Sequence, residues 1–376
     1  MFTVAEKESR HRAVQQVLKA DDLKALLLIG DTNAGNSFYG DLRYYTNNRT
    51  VLNRQVVIVF PDSEPVLFAW SNVQRDAATR RSFVSDCRLS GNIVADVAQL
   101  LKDHGIFKGK VGVNFEMLST AWSIYLKQEL PQIEWVETHE RIMQIRFHRS
   151  QEEANIFREG AALGDGGFET AVKFIRPGVS EYEIVAEIEH YARSRGAEEH
   201  FTIIGSGKFG SDDGNISPAI YSPTKRRIEL GDTVTMEITP RYEGYWTQLA
   251  RTVSVGSPNN ELNKILKICR DALKKGLEHC KPGKTVRDMV LAVESYVSGC
   301  GYTLKYPMGH ICGVDLNETR IFPQNEMVLE PGTPIIIHPC VFTPDGKNGS
   351  FWGETYLVTQ DGYDRLHKAT DEVLLL

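Results

Sequence analysis

Short apolar runs separated by helix-like stretches make up the first 145 residues of the chain. Ala25–Gly30, Gln55–Phe60, Pro65–Trp70 and Lys110–Phe115 are apolar segments of strand length. Continuous rather than alternating apolarity is the pattern of strands buried on both faces, so these four predict the sheet of an α/β domain. From Arg146 to Ile175 the apolar positions instead take the helical period. Ser150 and Glu153 stand at the spacing of a capping box at the start of this long amphipathic helix.

The rest of the chain contains a weak internal repeat. Ile175-Arg176-Pro177-Gly178-Val179-Ser180 closes one helical pattern and opens another. About a hundred residues later Cys280-Lys281-Pro282-Gly283-Lys284-Thr285 does the same, after the helical stretch 261–280. Glycine suits a helix end and Ser or Thr a helix start. A strand-rich segment follows each unit, which predicts two related halves sharing one sheet. The fold expected is therefore α/β with two domains, 1–145 and 146–376.

Composition narrows the field without naming a function. At 376 residues, with 41% apolar and 24% charged positions, the chain is long enough for two cores. A net charge of -6 leaves no basic footprint for nucleic acid, and no apolar run reaches the length of a membrane span. The six cysteines are scattered without C-x-x-C spacing, as expected of reduced thiols, and the charged first twenty residues do not read as a signal peptide. The expectation is a soluble cytoplasmic protein. Gly205–Gly210 matches G-x-G-x-x-G, but the turn-forming residues that follow do not open a helix, so no nucleotide is expected.

Ordered motifs carry a resemblance. Gly231-Asp232-Thr233-Val234, Gly244-Tyr245 and Ala250-Arg251-Thr252 resemble the paired-strand motif of the pita-bread superfamily, which includes creatinase, aminopeptidase P, prolidase and methionine aminopeptidase. Met308-Gly309-His310 with Gly313, Asp315 and Glu318 looks like its G-H-G-I-G-x-D-x-H-E motif. Leu329-Glu330-Pro331-Gly332 leading to His338-Pro339 looks like its L-x-x-G…E-P motif, and Gly353-Glu354-Thr355 like its final E-D-T strand. Asp41-Leu42-Arg43-Tyr44-Tyr45-Thr46 resembles the D-x-R-Y-x-T signature of creatinase and prolidase N-terminal domains. The resemblance implies a creatinase-like N-terminal domain, a pseudo-twofold pita-bread catalytic domain of α+β type, and a homodimer.

The peptidase branch of that superfamily holds two divalent cations with two Asp, one His and two Glu. Carried over by position, these become Glu237, Gln248, His310, His338 and Glu354. A neutral amide in place of the bridging carboxylate cannot hold two cations together in a medium of low dielectric, so a dinuclear centre is not expected. Two imidazoles and a carboxylate suit one transition metal, of iron, zinc, manganese or copper type. On this reading Gln248, His310, His338 and Glu354 hold the ion and Glu237 acts as acid or base. Tyr221, Trp246 and Asn317, with Arg43 and Arg49 from the first domain, are the expected substrate contacts.

Hydrolysis of a C–N bond in a small polar amino-acid-derived molecule is the expected reaction, and a peptidase is not. A lyase or a redox enzyme at the same site, a metal-free creatinase-like hydrolase, and an inactive binding protein stay open. The metal-free reading is weakened by Ile220, which stands where creatinase chemistry uses a His.

Overall fold

The computed structural model describes residues 2–31, 40–49, 53–209, 222–258 and 260–376. The chain forms two compact units, Met1–Phe147 and His148–Leu376, the division falling two residues beyond the boundary read from the sequence.

In the first unit six strands form one mixed sheet. Its order is Asp86–Leu89, Val66–Ala69, Arg54–Val59, Leu23–Asp31, Lys108–Val113, Gln132–Glu137. The four apolar runs of the sequence are its four inner strands. The two strands that apolarity did not reveal are the edges, and both are largely exposed or half-buried. An edge strand has less surface to bury, so it lacks the continuous apolar run. Alternation sends Leu27, Ile29, Val56 and Ile58 to a core shared with the helix Ile93–Asp103. Leu26, Leu28, Val57 and Val59 go to the opposite core, with Val14 and Leu18 of the helix Val4–Ala20.

The D-x-R-Y-x-T segment is a buried helix, Gly40–Thr46. Its Asp41 carboxylate accepts from Arg146 Nη1 at 2.6 Å and lies 2.7 Å from His139 Nδ1. Burial would raise the Asp41 carboxyl, but His139 and Arg146 outweigh it and hold the pKa down. This motif is therefore an anchor within its own unit.

The second unit shows the repeat as two capped helix pairs. The helix Gln151–Phe174 starts at the Ser150–Glu153 capping box. After Pro177 and Gly178, whose φ of 95° favours glycine, a Ser180–Glu183 box opens the helix Glu181–Arg193. The helix Asn260–Leu277 is likewise followed by Gly283 at φ 80° and by a Thr285–Asp288 box that opens Val286–Gly299. The main sheet runs in the order Thr319–Arg320, Gly309–Ile311, Pro334–Ile337, Gly353–Val358, Leu249–Ser254, Asp232–Tyr242, Glu199–Lys208. Its neighbouring strands are antiparallel throughout. One face is covered by Phe168, Ala171, Ile184 and Ile188 of the first helix pair, packed on Met236, Ile238, Leu249 and Val253. Gly205 and Gly207 lie inside the strand Glu199–Lys208, paired with Thr235 and Thr233, so this segment is not a phosphate-binding loop at a helix start.

Replacing Asp41 by Asn should take a buried counter-ion from Arg146 and lower the unfolding free energy by about 3–5 kcal/mol. Urea unfolding of the full chain measures it, and a loss below about 1 kcal/mol, the scale of an exposed pair, would show that the pair does not hold the unit together.

Candidate active site

Register sorts the five candidate positions onto two faces of the sheet. One row of partners runs Gly309, Ile337, Glu354, Leu249, Ile238, Thr202. Ile238 and Leu249 of this row belong to the helix-covered core. The next residue along each strand points to the other face. Glu237 pairs with Ala250 and Ile203, and His310 with Ile336, which pairs with Thr355. Glu237 and His310 therefore share the face away from the helices, as does Gln248, one residue before Leu249. His338, one residue after Ile337, joins them.

On that face His310 and His338 meet edge to face, with ring centres 6.1 Å apart, and Phe351 packs on the far side of His338 at 5.1 Å. Gln248 is locked by threonines. Its backbone N–H donates to Thr355 Oγ1 at 2.8 Å, and its Nε2 donates to Thr239 Oγ1 at 3.2 Å. The latter bond fixes the amide so that Oε1 is left as an acceptor. Gln248 Oε1, His310 Nδ1 and His338 Nδ1 are all buried without a hydrogen-bond partner among the described residues. Three such atoms on one face are a polar site awaiting water or a ligand, because an orphaned buried polar atom costs about 1–3 kcal/mol.

Electrostatics follow from burial. Desolvation pushes the Glu237 carboxyl up to about 8, so it carries its proton at neutral pH. Desolvation, reinforced at His310 by its neighbour His338, lowers the imidazoles to about 3 for His310 and about 4 for His338, and both rings are neutral.

Glu354 is not part of this cluster, which corrects its assignment as a metal ligand. Its row places it on the helix side, where Arg251 Nη2 and Arg365 Nε both donate to its carboxylate. Arg365 Nη2 adds a third bond at 3.1 Å and the Tyr356 hydroxyl a fourth at 3.0 Å. Burial would raise this carboxyl, yet the two guanidinium groups outweigh it and hold it at about 2. The place that faces His338 belongs to Gly353. A Cβ there would stand 2.0 Å from Ile337 O and 2.6 Å from His338 Cβ, so the backbones have closed over the space a carboxylate would need. The sequence held the signal: matching Thr355 to the Thr of E-D-T leaves Gly353, not Glu354, in place of its Glu.

The donor set therefore does not fit the two-cation centre that the resemblance implies. Glu237, His310 and His338 have the right types for one ion. However, among the described residues no three His, Cys, Asp or Glu side chains converge closely enough to hold a metal. With Glu354 on the other face, Glu237 is also the one carboxyl of the five positions that remains here, and burial keeps it protonated.

The other residues expected at the site divide. Trp246 is buried beside Phe201, with ring centres 5.8 Å apart, and the Arg241 guanidinium lies 5.3 Å from its ring centre. Its Nε1 has no hydrogen-bond partner among the described residues. Asn317 is exposed and is not brought to the buried cluster. Arg43 is only 5% exposed, so it is not presented as a surface cation; Arg49 is half-buried. Tyr221 and Ile220 lie outside the described residues. Thr239 and Thr355, which orient Gln248, were missed because hydroxyls on a strand carry no motif and gain meaning only through register.

These observations define a class: a two-domain α/β protein whose second unit carries a buried polar cluster on the face of a pita-bread sheet away from the helices. The chain belongs to metallopeptidase family M24, whose model matches residues 155–360, and the creatinase/prolidase N-terminal domain matches residues 10–148. It is 25% identical to a creatinase from Bacillus sp. (strain B-0618) over 371 residues, 93% of this chain and 86% of that one. It is 30% identical to a Xaa-Pro dipeptidase from Pyrococcus furiosus over 238 residues, 62% of this chain and 66% of that one. Among solved structures, a Xaa-Pro dipeptidase from Bacillus anthracis shares the fold with a TM-score of 0.86 at 24% identity, covering 98% of this chain and 100% of that one. The family is one of hydrolases. No helix among the described residues is long and apolar enough to cross a membrane.

The ionisation states give a stability profile with a worked sign. Glu237 keeps in the folded state a proton that the unfolded chain releases above 4.5, so it lowers stability as pH rises from there toward about 8. The two imidazoles act oppositely, lowering stability as pH falls below 6.5 toward their folded values of about 3 and 4. Their joint optimum lies near 6.5. Between pH 6.5 and 8 the carboxyl costs up to about 1.4 kcal/mol per pH unit. Glu237→Gln should remove that alkaline decline in urea midpoint; an equal decline in both proteins would mean that Glu237 is ionised in the fold.

For Glu354, replacement by Gln should lower stability by about 3–5 kcal/mol, because Arg251 and Arg365 lose their counter-ion. A fully stable variant would return Glu354 to the list of site ligands.

Proposed function

We propose that this chain hydrolyses a C–N bond in a small, polar, amino-acid-derived molecule, with Glu237 as proton carrier and without the cation pair of its family. The observation that supports this most is the placement of Glu237, Gln248, His310 and His338 on the sheet face away from the helices, while Glu354 is turned to the helix side. The creatinase, matched over 93% of this chain, also favours a small non-peptide substrate. In the scheme, water adds through its oxygen to the carbon of the C–N bond and gives up a proton to a neutral imidazole. Protonated Glu237 gives its proton to the departing nitrogen as that bond breaks. The carboxylate left behind is the counter-ion that makes a buried imidazolium tolerable, and proton return from imidazolium to Glu237 resets the site. Gln248, held by Thr239, presents an acceptor to the substrate, and Trp246 a donor. A cytoplasmic homodimer belongs to the same proposal and rests on the resemblance.

Two measurements test it together. Elemental analysis of protein purified without added metal should find well under one equivalent of iron, zinc, manganese or copper. Near-stoichiometric metal that His338→Ala removes would establish a mononuclear centre instead. In a screen of small amides, ureas and N-acyl amino acids, the activity found should fall as pH rises through about 8, as Glu237 loses its proton. Glu237→Gln should lower kcat by about 100-fold or more, the usual contribution of a general acid. Unchanged turnover in that variant would remove Glu237 from the chemistry.

A further inference from the structure

Behind the sheet, on the helix side and away from the polar cluster, lies a cleft of about 350 Å³ that the chemistry above leaves unused. We propose that it binds a small aromatic carboxylate. Its floor is apolar: Leu273, Leu277 and Trp352 line it and are buried. One wall is aromatic, where Tyr356 and Tyr363 meet edge to face with ring centres 5.4 Å apart and Tyr363 is 41% exposed. A flat ring fits such a floor and wall, and the volume suits one ring with a short acidic arm rather than a nucleotide or a peptide.

The rim supplies the charge. Arg365 is already committed to Glu354 and, at 3.0 Å, to Asp371. The cationic excess therefore falls on Arg270 and Lys274, both lining the cleft. Arg270 donates one N–H to the Asp371 carbonyl at 2.6 Å and holds its guanidinium 5.8 Å from the Trp352 ring centre, leaving further N–H groups for a ligand. Lys274 makes no ion pair among the described residues. The two stand four residues apart on the helix Asn260–Leu277, where like charges repel. A carboxylate between them relieves that repulsion, and the planar arginine fork matches its geometry. Glu372, also on the rim, disfavours a second negative charge on the ligand, which selects a monoanion over phosphate.

Isothermal titration of the full chain with benzoate tests the site, with benzyl alcohol and inorganic phosphate as the neutral and ring-free probes. Benzoate should bind saturably with a millimolar or better Kd, and both comparison probes at least about tenfold more weakly. The double substitution Arg270→Ala with Lys274→Ala should weaken benzoate by about tenfold or more. These side chains are not part of the core, and circular dichroism checks that the fold is kept. Lys275→Ala, on the same helix but outside the cleft, should leave binding unchanged. Four results would overturn the proposal: no saturation, equal binding of benzyl alcohol, tighter binding of phosphate, or an equal loss in Lys275→Ala.

Discussion

A step of one residue along a strand sends a side chain to the opposite face of the sheet, and that constraint governs everything proposed for this protein. In the second unit the strands carrying Glu237, His310 and Glu354 are locked by antiparallel register, while Gln248 directly precedes its strand and His338 directly follows its own. Glu354 lies in the row of Ile238 and Leu249, so it belongs to the core as they do. There it becomes the centre of an ion cluster with Arg251 and Arg365, on which the packing of the C-terminal strand depends. A residue that looks like a ligand by type is a structural counter-ion by position.

The open face is correspondingly poor in charge. Where the family's peptidases place carboxylates, this chain has an amide, an imidazole and a glycine, and the one remaining carboxyl is held neutral by burial. Such a cluster does not attract a pair of divalent cations. It is suited to proton transfer, because it combines a neutral acid with two neutral imidazoles whose charged forms become tolerable only once the acid has ionised. Gly353 makes the change hard to reverse by a single substitution, since the backbone at Ile337 and His338 occupies the space a side chain would enter.

The two faces of the sheet are also linked through one strand. Gly353–Val358 carries Gly353 against His338, Glu354 in the ion cluster, and Tyr356 on the wall of the rear cleft. The Tyr356 hydroxyl donates to Glu354, so a ligand in the cleft would press on the same strand that borders the polar face.

Local chemistry determined much of this in advance. Apolar runs marked the inner strands of the first unit, and capping residues with Pro-Gly punctuation marked both helix pairs, because burial on two faces and helix ends impose their residue choices locally. The order of motifs disclosed the family, and Glu237, Gln248, His310 and His338 were legible as one group. What only the tertiary structure decided were facts of register and enclosure. It turned Glu354 away, buried Arg43, and gave Thr239 and Thr355 their role in orienting Gln248. Those outcomes depend on which residue stands across the sheet from which, and pairing between distant strands leaves no trace in the residue types of either strand alone.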